Sequence, residues 1–251
     1  MTDKPLTPPD FTQGPNGRLA TLSLAGRGPG LVWLGGYASD MRGTKAEAIH
    51  THATARGLSY TRFDYSGHGE SEGDFEDGTI SRWAEDAATV LATTDGPQIL
   101  IGSSMGGWIA GLLAKRFPDK LAGLILIAPA PDFATDLTPK QWTPELWTKV
   151  QTGGRIEIPS EFDDSVMVYT KAMFDDGANC RVLNAPLSVP CPVRILTGMK
   201  DDVVPWAHAV RYAEHIDQKD VRVTLVKDGD HRMSGPREIA MLLSTIDELV
   251  G

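Results

Sequence analysis

The stretch "QILIGSSMGGW" (residues 98–108) constrains the fold more than any other part of the chain. A short apolar run ends in a Gly-Ser-Ser-Met-Gly turn, and the residues that follow carry apolar side chains at helical spacing. A strand that reverses into a helix within so few residues leaves room only for small flanking side chains, which Gly102, Gly106 and Gly107 supply. The stretch therefore predicts a strand, a tight turn and a helix, with a serine at the turn.

The turn fits the pattern G-x-S-x-G when it is centred on Ser104. Centring it on Ser103 puts Ile101 at the first glycine position, so Ser103 is the poorer candidate. In this context the central serine is held in a strained backbone conformation with its hydroxyl exposed at the top of a sheet. Because glycine and serine also form ordinary turns, a nucleophile is indicated only if an acid and a histidine follow in the right places.

Short apolar runs alternate with helix-period segments from about residue 30 onward, which predicts βα units around a buried, mostly parallel sheet flanked by helices. We predict strands at "GLVWLGG", "LSYTRFD", "QILIG", "LAGLILIAP", "PVRILTG" and "VRVTLVKD". "RLATLSLAG" is expected to add an antiparallel edge strand, and the preceding N-terminal residues are interpreted as a polar lead-in.

The alternation stops between about residues 130 and 188, which we interpret as an insertion into a single domain covering residues 1–251. A segment of this length in a compact fold is either a lid or binding element, or a structural excursion that covers the sheet edge. Its aromatic residues are candidates for an acyl pocket or for the insertion's own core, and both interpretations stay open: Trp142, Trp147, Phe162 and Phe174.

The composition disfavours several classes of binding partner and bears on the cellular location. The formal charge of -9 disfavours binding to nucleic acid or to anionic membrane surfaces. Cys180 and Cys191 are too few for a disulfide framework or a zinc site, although a single disulfide between them stays open. With no apolar stretch near the length of a membrane span and no recognisable targeting segment, we expect a soluble, cytoplasmic protein.

An acid and a histidine do follow the serine at the expected places. Asp201 and Asp202 lie just beyond the predicted strand "PVRILTG", in "MKDDVVP", and His231 lies beyond "VRVTLVKD", in "GDHRM". The carboxyl ends of parallel strands meet at one edge of the sheet, where a neutral imidazole can accept the serine proton and a carboxylate can orient the ring. We favour Asp201 as the acid, because Asp202 opens the run into the next helix and is expected to cap it or to be solvated.

The remaining histidines are weaker candidates. Two lie on different faces of one predicted helix, one lies in a glycine turn and two lie on a surface-type helix: His50 and His52, His68, and His208 and His215. The glycine turn "FDYSGHGESEG" misses the phosphate-binding spacing and carries acidic residues, so it is interpreted as structural, with Asp64 bonded to neighbouring backbone.

A serine nucleophile needs donors for the developing oxyanion. The amide of Met105, directly after the serine, is one candidate, and the second is expected in the loop after the strand "LVWL". Tyr37 is our choice for this second amide, with Gly36 in reserve.

These motifs, together with "GYASDMRGTKA", "RFDYSGHGES" and "CPVRILTGMKDDVVPW", resemble the α/β-hydrolase superfamily from about residue 30 to 250. Within it they are similar to mitochondrial esterases of acyl glucuronides that also act as palmitoyl-protein thioesterases. The resemblance implies an α/β-hydrolase fold with a small cap, a triad of Ser104, Asp201 and His231, and oxyanion donors at Tyr37 and Met105.

The predicted activity is hydrolysis of a carboxylic ester or thioester through an acyl-enzyme, without a metal or other cofactor. The expected partner is a small-molecule ester or thioester, or an acylated protein. Two alternatives stay open: the same triad acting on a carbon–carbon or peptide bond, and a non-catalytic, ligand-binding hydrolase fold.

Overall fold

A central sheet forms the middle layer of the computed structural model, which describes residues 7–160 and 166–251. The strands of the described residues are β1 (Asp10–Gly14), β2 (Gly17–Leu24), β3 (Arg27–Leu34), β4 (Leu58–Phe63), β5 (Gln98–Ser103), β6 (Leu121–Ile127), β7 (Arg155–Pro159), β8 (Val166–Thr170), β9 (Leu187–Ser188), β10 (Val193–Gly198), β11 (Ile216–Asp217) and β12 (Val221–Val226). Eight of these form the sheet, in the order β1-β2-β4-β3-β5-β6-β10-β12.

The sheet is parallel from β4 through β12, while β2 pairs in antiparallel fashion with both β1 and β4. Every residue of β5 and β10 is buried. Continuous apolar runs of this kind are typical of strands covered on both faces. The six strands predicted from residue 30 onward are present as β3, β4, β5, β6, β10 and β12.

Helices cover both faces of the sheet. They are α1 (Thr44–Arg56), α2 (Ile80–Ala92), α3 (Met105–Arg116), α4 (Phe133–Asp136), α5 (Thr138–Gln141), α6 (Pro144–Gly153), α7 (Lys171–Gly177), α8 (Trp206–His215) and α9 (Pro236–Val250). One apolar cluster packs α1 and α9 on one face, around Ile49 and Ile246. A larger cluster packs α2, α3 and α8 on the other face, around Trp83, Ile109 and Tyr212. Burial of these apolar faces is the main driving force for the fold.

The segment between β6 and β10 departs from the βα pattern, as the sequence predicts. Its described residues form four short helices, α4 to α7, and the antiparallel pair of β7 and β8. Asp132 anchors its two ends, because this buried carboxylate accepts the amides of Val182 (2.8 Å) and Leu183 (3.0 Å). The Trp108 ring N–H donates to the carbonyl of Cys180 at 2.9 Å, which fixes the segment to α3.

Two sequence predictions are wrong. The N-terminal residues are not only a lead-in, because residues 10–14 form β1 and pair with β2, so β2 is not the edge strand. His208 does not lie on a solvent-facing surface of α8. It is 6% exposed, and its Nε2 lies 2.7 Å from the carbonyl oxygen of Pro131, because the segment after β6 covers that face of the helix.

Candidate active site

Ser104 occupies the turn between β5 and α3 in a backbone conformation that L-residues rarely adopt. Its φ is 52° and its ψ is -115°. Its amide donates to the Ile127 carbonyl at 2.9 Å, and its carbonyl accepts the amides of Gly107 and Ala130 at 2.9 and 3.1 Å. A backbone conformation of this kind costs about 1–3 kcal/mol. The three bonds, to β6, to α3 and to the residues that follow β6, hold Ser104 in it.

The glycines around Ser104 are required by space. A Cβ at Gly106 would lie 2.0 Å from the Leu34 carbonyl oxygen, and one at Gly102 would lie 2.4 Å from the Gly106 carbonyl oxygen. At Gly107 a Cβ would meet the Cβ of Pro129 at 2.7 Å. None of the three has a positive φ. The strain of the turn is therefore carried by the serine itself, while the glycines let α3 approach β3.

The structure brings Ser104, His231 and Asp201 together at the carboxyl ends of β5, β12 and β10. The Nε2 atom of His231 lies 3.1 Å from the Ser104 Oγ, and its Nδ1 atom lies 2.8 Å from the Asp201 Oδ2. The His231 side chain is 12% exposed and that of Asp201 is 0% exposed. This arrangement can move a proton from the serine to the imidazole while the carboxylate orients the ring.

Asp201, and not Asp202, places its carboxylate against the His231 imidazole. The second oxygen of Asp201, Oδ1, accepts the amides of Val203 (3.0 Å) and Val204 (2.7 Å). Asp202 is exposed. Asp201 is thus fixed by two backbone amides as well as by the imidazole.

The loop after β3 passes beside the serine at Gly36, whose amide is already hydrogen-bonded. Gly36 approaches Ser104 so closely that a Cβ on it would lie 3.6 Å from the serine Cβ. The Gly36 amide donates to the Ser39 Oγ at 3.2 Å, and the Ser39 amide donates back to the Gly36 carbonyl at 3.3 Å. Ala38, at the third position of this turn, has a φ of 52°. Because the Gly36 amide is occupied, it is a poorer oxyanion donor than Tyr37.

The amides of Tyr37 and Met105 have no hydrogen-bond acceptor within the described part of the chain. Met105 directly follows Ser104 in the chain, and Tyr37 directly follows Gly36, which packs against the Ser104 side chain. Two unbonded amides beside a nucleophile can receive the charge of a tetrahedral intermediate.

Asp64 ties the loop after β3 to the glycine turn, as its predicted structural role requires. Its carboxylate accepts the Met41 amide at 2.6 Å through Oδ1 and the Glu70 amide at 2.8 Å through Oδ2. Burial raises the pKa of the Asp64 carboxyl, and the two amide bonds act in the opposite direction. The same turn contains His68, whose pKa burial lowers to about 4.

The aromatic residues of the segment between β6 and β10 form one cluster. Phe174 is buried, with Trp142 and Trp147 packed edge-on against it at 5.5 and 5.0 Å between ring centroids. Tyr169 extends the cluster, since its ring lies 5.0 Å from Trp142 and stacks on Tyr37 at 5.2 Å. Phe162 lies outside the described residues. The cluster is thus part of the segment's core and also reaches the loop that flanks Ser104.

Sequence reasoning missed Ser39 and Tyr169. Ser39 carries a signal, because it lies directly after the predicted oxyanion loop in "GGYAS" and serine often bonds nearby backbone. Tyr169 carries none, since it meets Tyr37 only through the fold. Both cysteines, Cys180 and Cys191, are free thiols, so the disulfide that the sequence left open is absent from the described residues.

The described residues contain neither a cluster of metal-binding side chains nor a helix that could span a membrane. Residues 7–160 and 166–251 contain no group of three or more His, Cys, Asp or Glu side chains arranged to hold a metal ion. Over the same ranges, no helix combines the length and the apolar character that a bilayer span requires.

The fold, the strained serine and its two partners define an α/β hydrolase, and comparison with known proteins agrees. The chain belongs to this superfamily, and the family model described as "Serine aminopeptidase, S33" matches its residues 32–168.

Particular relatives are named more narrowly. The chain is 39% identical over 236 residues to the mitochondrial palmitoyl-protein thioesterase ABHD10 of Homo sapiens, a match that covers 92% of this chain and 76% of the relative. The solved structure of mouse α/beta hydrolase domain-containing protein 10 superposes with a TM-score of 0.89 at 35% identity, covering 97% of this chain and 98% of that one. A solved structure from Agrobacterium vitis S4 superposes with a TM-score of 0.91 at 40% identity, covering 98% and 100%.

Proposed function

We propose that the chain is a serine hydrolase that cleaves carboxylic esters or thioesters through an acyl-enzyme on Ser104. The observation that carries this proposal is the continuous hydrogen-bonded series from the Ser104 Oγ through His231 to the buried Asp201, at 3.1 and 2.8 Å. A binding module has no need for this series beside two unbonded amides. The names of the relatives, which are thioesterases, support the same bond class.

The reaction has two halves. The Ser104 Oγ attacks the carbonyl carbon while its proton passes to the His231 Nε2, and the carbonyl oxygen gains negative charge that the Tyr37 and Met105 amides bind. The tetrahedral intermediate collapses as the His231 imidazolium gives the proton to the departing alcohol or thiol. Water then adds to the acyl-enzyme with His231 as the base, and release of the acid restores the serine.

The acyl group is proposed to contact the aromatic cluster of Trp142, Trp147, Tyr169 and Phe174. In this proposal Trp142 and Tyr169 face the acyl chain, because they connect the cluster to Tyr37, whereas Phe174 is enclosed by the other rings. Apolar aromatic surface suits a fatty or aromatic acyl group better than a charged one. The segment between β6 and β10 thereby acts as a small cap over the domain.

The partner is proposed to be a small-molecule ester or thioester, or an acylated protein, as the name of the human relative suggests for a protein substrate. The cytoplasmic location stays a prediction. The family description favours one second candidate, cleavage of a peptide bond after an amino-terminal residue.

A substrate panel separates these activities. We would measure kcat/KM for p-nitrophenyl acetate and octanoate, for octanoyl and palmitoyl thioesters, and for aminoacyl p-nitroanilides, with the wild type and Ser104→Ala. We expect Ser104-dependent turnover of esters and thioesters and none of the anilides. Ser104-dependent turnover of anilides alone would replace the proposal with a peptidase.

Replacement of a cap residue tests the acyl pocket. Trp142→Ala is expected to raise KM for octanoyl esters by about tenfold, because burial of a large apolar side chain against the acyl chain contributes about 1–3 kcal/mol, and to leave KM for acetate within about twofold. Equal effects on both esters would assign Trp142 to the cap's own core.

A further inference from the structure

Tyr37 joins two parts of the molecule that are distant in sequence. Its amide lies in the loop beside Ser104, and its phenol hydroxyl donates to the carbonyl oxygen of Val168, in β8. The two residues are 131 positions apart. The side chain of an oxyanion donor is thus bonded to the cap.

Ring contacts reinforce this bond. The Tyr37 ring stacks on that of Tyr169 with centroids 5.2 Å apart and planes inclined by 10°. Its edges meet Phe75 at 5.1 Å, Trp83 at 5.7 Å and Phe133 at 6.3 Å. Phe75 and Trp83 belong to the main domain, while Phe133 begins α4 of the cap. The ring is therefore held on several sides, by residues from both parts of the molecule.

We infer that the Tyr37 side chain is a positioning group that makes the geometry of the oxyanion hole depend on the cap. The inference rests on the proposed function, because it concerns the amide assigned to the oxyanion. Any residue except proline supplies an amide N–H at this position, so the side chain is needed only if the direction of that N–H has to be fixed.

The local backbone explains why fixing is needed. The turn from Gly36 to Ser39 includes Ala38 at a φ of 52°, a conformation that costs a residue with a Cβ about 1 kcal/mol. Only two long hydrogen bonds, of 3.2 and 3.3 Å between Gly36 and Ser39, hold this turn. The strain at Ala38 therefore favours other conformations of the turn. A ring that is bonded to Val168 and stacked on Tyr169 fixes the Cα–Cβ direction of Tyr37, and with it the direction of the N–H.

The hydroxyl is a durable donor. Burial raises the pKa of Tyr37 well above its ordinary value, so the phenol keeps its proton throughout the pH range in which such an enzyme is assayed. The coupling between cap and oxyanion hole is therefore expected to be independent of pH.

The test compares two variants at position 37 with one matched control. Tyr37→Phe removes the bond to Val168 and keeps the ring, while Tyr37→Leu removes the stack as well. Tyr60→Phe is the control, because Tyr60 is also buried and donates to a backbone carbonyl, that of Ala46 at 3.2 Å, on the opposite apolar cluster. For each protein we would measure kcat and KM on p-nitrophenyl octanoate, and the Ki of an alkylboronic acid, which forms a tetrahedral adduct on the serine.

We expect Tyr37→Phe to lower kcat and boronate affinity by the same factor, about fivefold, with KM within about twofold. Tyr37→Leu is expected to lower both by about thirtyfold, approaching the loss of one oxyanion donor. Tyr60→Phe should leave all three quantities unchanged. A positioning role is overturned if Tyr37→Phe raises KM with kcat and boronate affinity intact, or if it matches the control.

Failure of the inference is distinguishable from failure of the proposed function. If boronate binding by the wild type is lost in Ser104→Ala but unaffected in Tyr37→Phe, only the positioning role fails. If Ser104→Ala binds the boronate like the wild type, the serine mechanism itself fails. Thermal unfolding shows whether each variant is folded. If Tyr37→Leu is not folded, the conclusion is drawn from Tyr37→Phe alone.

Discussion

The Nδ1 atom of His231 lies 2.8 Å from one carboxylate oxygen of Asp201, whose other oxygen accepts the Val203 and Val204 amides. The Asp201 carboxylate that contacts the imidazole is thus also oriented by two backbone amides. Within the described residues the neighbouring Asp202 accepts neither the imidazole nor these amides, and it is exposed.

This relationship predicts opposite outcomes for the two aspartates. Asp201→Asn should lower kcat by a factor on the order of 10³–10⁴, because an amide can hold the wrong imidazole tautomer. Asp202→Asn is the matched control and should stay within about twofold of wild type. Steady-state kinetics on p-nitrophenyl octanoate check both, and a larger loss in Asp202→Asn would move the acid to that residue.

Ser39 is predicted to support the oxyanion loop through its hydroxyl. Ser39→Ala removes the acceptor of the Gly36 amide, so we expect kcat to fall about fivefold with little change in KM. Ser39→Thr, which keeps the hydroxyl, should recover most of the loss. Ser23→Ala, which removes an exposed hydroxyl on β2, is the control and should be silent. Unchanged kcat in Ser39→Ala would mean that the loop holds without this bond.

Gly106 is predicted to be irreplaceable for packing reasons. A Cβ there would lie 2.0 Å from the Leu34 carbonyl oxygen, so Gly106→Ala must displace α3 from β3. We expect a loss of more than about 3 kcal/mol in the free energy of unfolding, measured by urea denaturation. Gly153→Ala, at the end of α6 with no heavy atom within 4 Å of the added Cβ, should change it by less than about 1 kcal/mol. Similar losses in both would contradict the packing account.

His68 is predicted to make stability depend on pH below neutrality. Burial among Tyr65, Phe75 and Trp83 lowers its pKa from 6.5 to about 4. Between these two values the unfolded chain binds a proton that the native protein does not, so stability falls as pH falls through this window and is unaffected above it. The loss from this residue should reach about 2 kcal/mol at pH 5.

His68→Phe tests this effect, because phenylalanine fits an aromatic site and does not titrate. The difference in the free energy of unfolding between pH 8 and pH 5 should be about 2 kcal/mol smaller in the variant than in the wild type. The same difference in both proteins would show that His68 does not contribute.

The sheet and the serine site were open to prediction because their signals are local. Ser104 lies between an apolar run and a helix-period segment, and His231 lies in the loop that follows a strand, so chain order alone places both at one edge of the sheet. Such patterns can be recognised in the sequence without knowledge of the rest of the fold.

The cap contacts were not open to prediction. Tyr169 meets Tyr37 across 132 positions, and His208 is covered by the backbone of Pro131, which the sequence of α8 does not reveal. The edge strand β1 was missed because its five residues are mostly exposed and polar, so they show no alternation of apolar and polar residues. Pairing with β2 is what makes this segment a strand.

Labelling with a fluorophosphonate probe tests the central claim most directly, since this reagent reacts with an activated serine. Intact-mass analysis of the folded wild type and of Ser104→Ala should show a single adduct on the wild type and none on the variant. An unlabelled wild type, or an equal adduct on Ser104→Ala, would contradict Ser104 as the nucleophile.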